Sequence, residues 1–189
     1  MVANFSGQDV TLNEKQLGAG GVEIDAQGNG SLYYFWSAEG IPLSGKFNEE
    51  DQYLKARRTF YNRNGTVIAN NRVKQNDLIV VKLTLESLQG EIDNVVLTDM
   101  LPAGFEIENA RIGEVAQFDW LKDRSFAQYQ DIRDDRINMF TTATRKPKHY
   151  YYVVRAVSKG KFALGPVAAD AMYDAEYHSY HGSGTMLVE

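Results

Sequence analysis

Several residue types are absent or scarce in this 189-residue sequence, and each absence removes a class of function. Cysteine is absent, so disulfides, thiolate nucleophiles and cysteine-based zinc sites are excluded. A basic surplus is also missing, because 25 acidic residues outnumber 20 Lys and Arg and leave a net charge of −5. A nucleic-acid partner is therefore not expected, since a phosphate backbone is bound through surplus positive charge.

The sequence also lacks a membrane or export signal. No apolar run approaches the roughly 18 residues that a membrane-spanning helix needs, and Met1–Asn4 leads directly into folded-looking sequence without a leader pattern. We expect either a cytosolic protein or an excised part of a longer one.

Strand patterns dominate what is present, and the most informative is Asn94–Ile112, NVVLTDMLPAGFEIENARI. It begins with the apolar, mostly β-branched run Val95–Leu97, which favours a strand. Pro102 cannot donate to a β-ladder, and Gly104 is able to take the positive φ that a tight reversal often needs. From Phe105 onward apolar and polar residues alternate, as in a strand with one wet face. The stretch predicts a strand, a corner that closes an edge or crosses to a second sheet, and a half-exposed strand.

Seven or eight strands are predicted from Tyr53 onward, separated by turn residues, which favours an all-β sandwich. Leu78–Leu85, LIVVKLTL, is the most hydrophobic and is predicted to be central. Val115–Phe126 allows a short helical turn. Before a break expected near Phe47–Gln52, the sequence has only short strand candidates such as Ser31–Ser37, SLYYFWS. We therefore expect a partial β-segment over residues 1–50 and a sandwich over residues 51–189.

Two side-chain clusters have possible chemistry. The first lies within residues 131–136, where arginines alternate with carboxylates and would neutralise them. A structural ion-pair cluster is therefore favoured over a metal site or a hydrolase. We expect one of its pairs to be partly buried beside the Asp99–Gly104 corner, and Arg136→Ala to lower the melting temperature. The members of this cluster are Asp131, Arg133, Asp134, Asp135 and Arg136.

His178 and His181 form the second cluster, with Asp174 and Glu176 nearby. This set could be read as zinc ligands. However, the glycines that follow His181 predict a loop. A loop does not bring residues three apart to one face as a helix would. We interpret these histidines as surface residues, and the sequence predicts neither a metal site nor an enzyme.

Three motifs carry a resemblance to a known family. Val95–Asn109 (VVLTDMLPAGFEIEN), Asp131–Arg136 (DIRDDR) and Tyr152–Tyr173 (YVVRAVSKGKFALGPVAADAMY) occur in the order found at the C-terminal end of the bacterial α2-macroglobulins, which this sequence resembles. The resemblance implies a fibronectin-III-type macroglobulin-like sandwich, the MG10 domain, over residues 51–189. It implies that residues 1–50 are the end of a CUB-like β-domain.

The resemblance also implies a function without catalysis. Family members trap proteinases: a proteinase cuts a bait region, the molecule rearranges, and a buried Cys–Gln thioester becomes able to acylate the attacker. The last domain packs on the thioester domain, and a loop resembling Ala171–Asp174 covers the thioester. Met172 and Tyr173 are thereby implied as the cover, and no cofactor is implied. Because this chain contains neither thioester nor bait, it cannot trap a proteinase alone.

The implied partners are the thioester domain of the same parent chain and, through that parent, proteinases. The implied location is periplasmic, with membrane contact only through a lipid anchor elsewhere in the parent. Two other classes stay open: an independent extracytoplasmic binding or adhesion sandwich, since sandwiches commonly serve such roles, and a hydrolase that uses Asp131, Asp134 or His178.

Overall fold

The computed structural model describes residues 23–25, 27–29, 31, 33, 35, 48–108 and 118–189. The chain separates into two compact units, Met1–Gly40 and Ile41–Glu189. Of the strand predicted over Ser31–Ser37, only residues 31, 33 and 35 are described, and none of them lies in a strand. The assignment of residues 1–50 to a partial CUB-like segment stays a prediction.

The described residues of the second unit form thirteen strands and no helix. Accordingly, nothing in the described ranges forms a helix long and apolar enough to cross a membrane. The strands are β1 (Glu50–Gln52), β2 (Leu54–Asn62), β3 (Arg72–Val73), β4 (Leu78–Ser87), β5 (Ile92–Met100), β6 (Phe105–Ile107), β7 (Tyr129–Ile132), β8 (Arg136–Ala143), β9 (Lys148–Ala156), β10 (Gly160–Leu164), β11 (Val167–Ala171), β12 (Asp174–His181) and β13 (Gly184–Val188).

These strands form three sheets. The largest has the order β1-β12-β11-β5-β8-β7, the second β2-β4-β9-β6 and the third β10-β13-β3. Every pair is antiparallel except β13 with β3. Strand β2 contacts β11 and β12 of the largest sheet, so the two larger sheets pack face to face. The predicted antiparallel sandwich is confirmed, and β4 is central in its sheet as expected.

The strand count and the helical turn were predicted less well. Twelve strands of the described residues begin at or after Leu54, whereas seven or eight were predicted. The prediction fell short because several strands have only two to five residues and give no clear sequence pattern. Within Val115–Phe126, the described residues 118–126 contain no helix. A turn closes there instead, with the Leu121 amide donating to the Phe118 carbonyl at 3.0 Å.

The corner after β5 carries the chain from the largest sheet into the second sheet, where β6 pairs with β9. Gly104 contributes by close approach and not by a positive φ. A Cβ atom at this position would lie 2.3 Å from the ring of Phe162, closer than side chains pack. The Leu101 amide donates to the Asp135 carbonyl at 2.8 Å, which attaches the corner to the turn between β7 and β8.

The core lies between the two larger sheets and follows strand alternation. Leu83 and Leu85 of β4 are fully buried, as are Leu97 of β5 and Met139 of β8. In the Tyr150–Tyr152 run, successive rings point to opposite faces of the sheet. The Tyr151 ring faces away from the core, and the Lys82 ammonium lies over it, 6.0 Å from the ring centroid.

A buried ion pair joins the two larger sheets. Arg58 of β2 bonds to Asp99 of β5, and their side chains are only 2% and 1% exposed. The same guanidinium donates to the carbonyls of Gly165 at 2.8 Å and Gly182 at 2.7 Å. The Tyr152 hydroxyl donates to the second Asp99 oxygen at 2.6 Å. Three further parts of the chain, at Tyr152, Gly165 and Gly182, are thus fixed to one guanidinium–carboxylate pair.

The protonation of this network follows from its burial. Burial raises the pKa of Asp99, while the Arg58 guanidinium and the bond from Tyr152 act against that rise. Burial and the adjacent Asp99 raise the pKa of Tyr152 well above its ordinary value, so its hydroxyl keeps the proton that it donates.

Removal of the cation is expected to destabilise the fold strongly. Arg58→Met leaves a buried carboxylate without its cation and two carbonyls without their donor, and such a loss typically costs about 3–5 kcal/mol. Urea unfolding at neutral pH measures the change. Arg133→Met, which removes an exposed guanidinium, is the control, and equal effects of the two substitutions would contradict a structural role for Arg58.

A second carboxylate attaches the edge strand β1. Asp51 accepts hydrogen bonds from Arg57 at 2.9 Å and from the Ser179 hydroxyl at 2.7 Å. The bond from Arg57 is the main reason that the pKa of Asp51 falls from 3.8 to about 2, against a smaller opposing effect of burial.

This shift predicts an acid-sensitive contribution. A lowered folded-state pKa means that the ionised Asp51 stabilises the fold above pH 4, and that this contribution is lost as the pH falls toward about 2. Because the side chain is 28% exposed, we expect at most about 1 kcal/mol. Urea unfolding between about pH 5 and pH 2 should show a shallower pH dependence for Asp51→Asn than for the unmodified chain, and parallel curves would contradict this.

Candidate functional site

The two residues singled out as a cover, Met172 and Tyr173, form the tip of the hairpin between β11 and β12. Ala171 and Asp174 pair across the base of this two-residue turn. Met172 is 50% exposed and Tyr173 is 82% exposed. The loop predicted for them is a tight turn between two paired strands.

The tip has a rigid base. Strand β11 is an interior strand, hydrogen-bonded to β5 on one side and to β12 on the other. The Met172 amide also donates to the Asn94 carbonyl at 2.9 Å. The strand pairing is irregular next to this contact. The register of β11 with β12 shifts between Asp170 and Ala171, and the register of β5 with β8 shifts between Ile92 and Val95. Such β-bulges redirect side chains, and here they lie at the end of the sheet that carries the tip.

An open groove of about 290 Å³ lies beside the tip. Tyr173 forms part of its wall, and carboxylates of three residues line it. These carboxylates form no ion pair with any lysine, arginine or histidine of the described ranges. The lining residues are Glu91, Ile92, Asp93, Asn94, Ala171, Tyr173, Asp174 and Tyr177.

Tyrosines extend this surface. The Tyr177 ring packs against Tyr53, with 5.0 Å between the ring centroids. Tyr53 and Asn94 both have positive φ, 60° and 55°, which is unusual for residues other than glycine and marks a constrained end of the fold. The Leu88 amide donates to the Tyr53 carbonyl at 2.8 Å. Leu88 itself is 50% exposed. Sequence reasoning missed this surface, because its parts come from three separate segments: Tyr53, residues 88–94 and residues 171–177.

The predicted ion-pair cluster lies in and around the turn between β7 and β8, beside the corner. Its pairs are local: Arg133 bonds to Asp131 at 2.9 Å and Arg136 bonds to the adjacent Asp135 at 2.8 Å. The arginine side chains are 65% and 44% exposed, and Asp131, at 26%, is the one partly buried partner, so neither pair is buried on both sides. Asp134 forms no ion pair within the described ranges. The buried pair is made by Arg58 and Asp99, which the strand pattern did not single out.

The two histidines lie on β12 and not in the predicted loop. At an odd spacing along a strand, their side chains point to opposite faces. His178 lies 3.7 Å from Glu50, and His181 lies 3.0 Å from Glu49. No group of three or more His, Asp or Glu side chains that could hold a metal ion occurs among the described residues.

Comparison with solved structures defines the class of this fold. The chain matches Escherichia coli alpha-2-macroglobulin activated by porcine elastase with a TM-score of 0.69 and 20% identity, over 75% of this chain and 13% of that one. Salmonella alpha-2-macroglobulin reacted with methylamine matches with a TM-score of 0.66 and 24% identity, over 77% of this chain and 10% of that one. The fold is therefore a macroglobulin-like β-sandwich.

The sequence matches identify the family. Residues 54–176 match the family model described as the bacterial alpha-2-macroglobulin MG10 domain, and the chain belongs to this family. An alpha-2-macroglobulin of Xylella fastidiosa (strain Temecula1) is 32% identical over 168 residues, which cover 82% of this chain and 10% of that protein. One of Pasteurella multocida is 28% identical over 80% of this chain and 8% of its own length. The chain thus spans about a tenth of these relatives.

The exposure of the ion-pair cluster reverses one expectation about stability. Arg136→Ala should leave the melting temperature nearly unchanged, because its pair with Asp135 is formed between neighbouring residues at the surface. Thermal unfolding followed by circular dichroism measures this. A clear decrease would show that the cluster supports the corner as first expected.

Proposed function

We propose that this domain shields a thioester on the neighbouring thioester domain of a larger alpha-2-macroglobulin until the bait region is cut. The chain acts as a cover and contributes no catalytic group. The observation that carries the proposal is the exposure of Met172 and Tyr173 on a hairpin tip that is fixed by strand pairing on both sides.

The chemistry of the tip suits a removable cover. A thioester hydrolyses when water reaches it, so its cover must be apolar and must fit closely. Met172 is unbranched and adapts to an irregular surface, while Tyr173 supplies a large flat ring with one polar group. Large apolar side chains exposed together mark an interaction site that lacks its partner.

The geometry also suits release. Met172 and Tyr173 lie in the turn, outside the pairing of β11 with β12, so the tip is able to separate from a partner without unfolding its own sandwich. Because β11 is an interior strand, the tip keeps its shape after separation. A small contact is sufficient, since domains of one chain remain at high effective concentration.

The setting of the whole protein belongs to the same proposal. Proteinases are partners of the parent, which carries the bait and the thioester, and the parent is located in the periplasm through a lipid anchor outside this chain. The family membership and the names of the relatives support a larger alpha-2-macroglobulin as the parent, while the location and the proteinase partners are parts of the proposal itself.

Replacement of the cover tests the function. In a full-length parent that carries a thioester, Met172→Ala/Tyr173→Ala should let methylamine consume the thioester before any proteinase cuts, while the unmodified parent reacts much more slowly. The rate of thiol release measures the reaction. In the isolated chain the same double substitution should leave the unfolding free energy nearly unchanged, because both side chains are exposed.

Phe126→Ala/Tyr129→Ala is the matched control, since these aromatic side chains are 75% and 63% exposed at a different edge. It should leave the methylamine rate of the parent unchanged. The cover role is wrong if the Met172/Tyr173 variant reacts no faster than the unmodified parent.

A further inference from the structure

Strand β1 contributes little to the core of the sandwich on which it lies. It has three residues, which pair with residues 178–180 of β12. Glu50 and Asp51 are exposed and Gln52 is half-buried, whereas Leu54, at the start of β2, is fully buried. Strand β1 is therefore attached without the apolar burial that stabilises β2.

Polar contacts at the surface attach β1 instead. Asp51 bonds to Arg57, as described above, and this guanidinium is itself partly exposed. Glu49 accepts a hydrogen bond from the Gly182 amide at 2.9 Å and lies 3.0 Å from His181. Contacts of charged groups at a surface contribute little each, because water and salt screen them. They fix the position of β1, but little free energy is needed to break them.

The connection from β1 to β2 is strained at Tyr53. This one residue carries the chain from the largest sheet, in which β1 pairs, to the second sheet, in which β2 pairs. Its φ is 60°, a left-handed conformation in which the Cβ atom of an L-residue crowds the backbone. The Tyr177 ring and the Leu88 amide contact it from either side. Such strain persists only where the surrounding structure imposes it, so detachment of β1 allows Tyr53 to relax.

We infer that β1 is a releasable strap, which detaches from β12 while the sandwich stays folded. Its weak attachment lowers the free energy needed for opening, and the strain at Tyr53 favours opening further. Strand β12 stays in the largest sheet when β1 leaves, because β11 pairs with its other side. Opening of this kind is a local event that requires less free energy than unfolding of the core.

The strap controls how firmly the preceding part of the chain is attached. While β1 is paired, Glu49 is fixed beside Gly182. Once β1 is released, residues 49–53 become a flexible connection that spans up to roughly 17 Å. The chain before the strap is then able to be repositioned while the sandwich keeps its structure. This role does not depend on the proposed cover, because Met172 and Tyr173 lie at the other end of β12.

Hydrogen exchange of the 189-residue chain tests whether the strap opens separately. After correction for intrinsic rates, the paired amides of β1 should exchange at least about a hundredfold faster than those of Leu83 and Leu85 in β4. Low concentrations of urea should accelerate exchange in β4 and leave β1 unchanged, because urea promotes openings that expose a large surface. Exchange of β1 with the same urea dependence as β4 overturns the inference.

Two substitutions of Tyr53 test the strain. Tyr53→Ala and Tyr53→Gly both remove the ring that packs on Tyr177, but only glycine adopts a φ of 60° freely. The β1 amides of Tyr53→Gly should therefore exchange about fivefold more slowly than those of Tyr53→Ala, even though glycine makes the released strap more flexible. Equal exchange in the two variants, or faster exchange in Tyr53→Gly, overturns the strained strap. The urea dependence of the unmodified chain decides the matter if neither variant folds.

Asn94 supplies the matched control, because it also has a positive φ, 55°, and lies outside the strap. Asn94→Gly and Asn94→Ala should show the same exchange of the β1 amides. A difference as large as that between the two Tyr53 variants would mean that relief of strain anywhere in the domain slows the exchange of β1, and it overturns the inference.

Discussion

The structure depends on one buried interaction, the pair of Arg58 and Asp99 between the two larger sheets. Its guanidinium also holds the carbonyls of Gly165 and Gly182, which flank the β11–β12 hairpin in sequence. A buried charge without its partner is costly, so this network stabilises the observed placement of that hairpin against β2. The hairpin that carries Met172 and Tyr173 is therefore fixed at its far end by electrostatics and along its length by strand pairing.

That fixation explains how the proposed cover is able to be both exposed and exact in position. An apolar tip on a mobile loop would collapse onto its own domain, whereas a tip on an interior strand remains projecting. The acidic groove lies at the same end of the sheet, next to Asn94 with its positive φ and two irregularities in pairing. The two features form one surface on a rigid support, while the sandwich behind them supplies stability.

The two groups of charges show why residue type alone does not reveal a role. Asp131–Arg136 concentrates charge in the sequence, yet its pairs join near neighbours at the surface and contribute little. Arg58 and Asp99 are 41 residues apart, and nothing in the local pattern connects them. The one hint is the position of Asp99, a lone carboxylate on the inward face of β5, where a charge requires a partner.

The sequence by itself determined the all-β class, the central strand Leu78–Leu85 and the corner at Asp99–Gly104, because alternation, β-branched residues and proline act over a few neighbouring positions. Through a motif that is contiguous in the chain, it also predicted a cover role for Met172 and Tyr173, which stays a prediction. Only the tertiary structure decided that the tip is a tight hairpin turn, that Asp99 pairs with Arg58, and that two distant segments meet in one acidic groove. Those features depend on contacts between residues distant in sequence, and the register that creates such contacts is set by the packing of whole sheets.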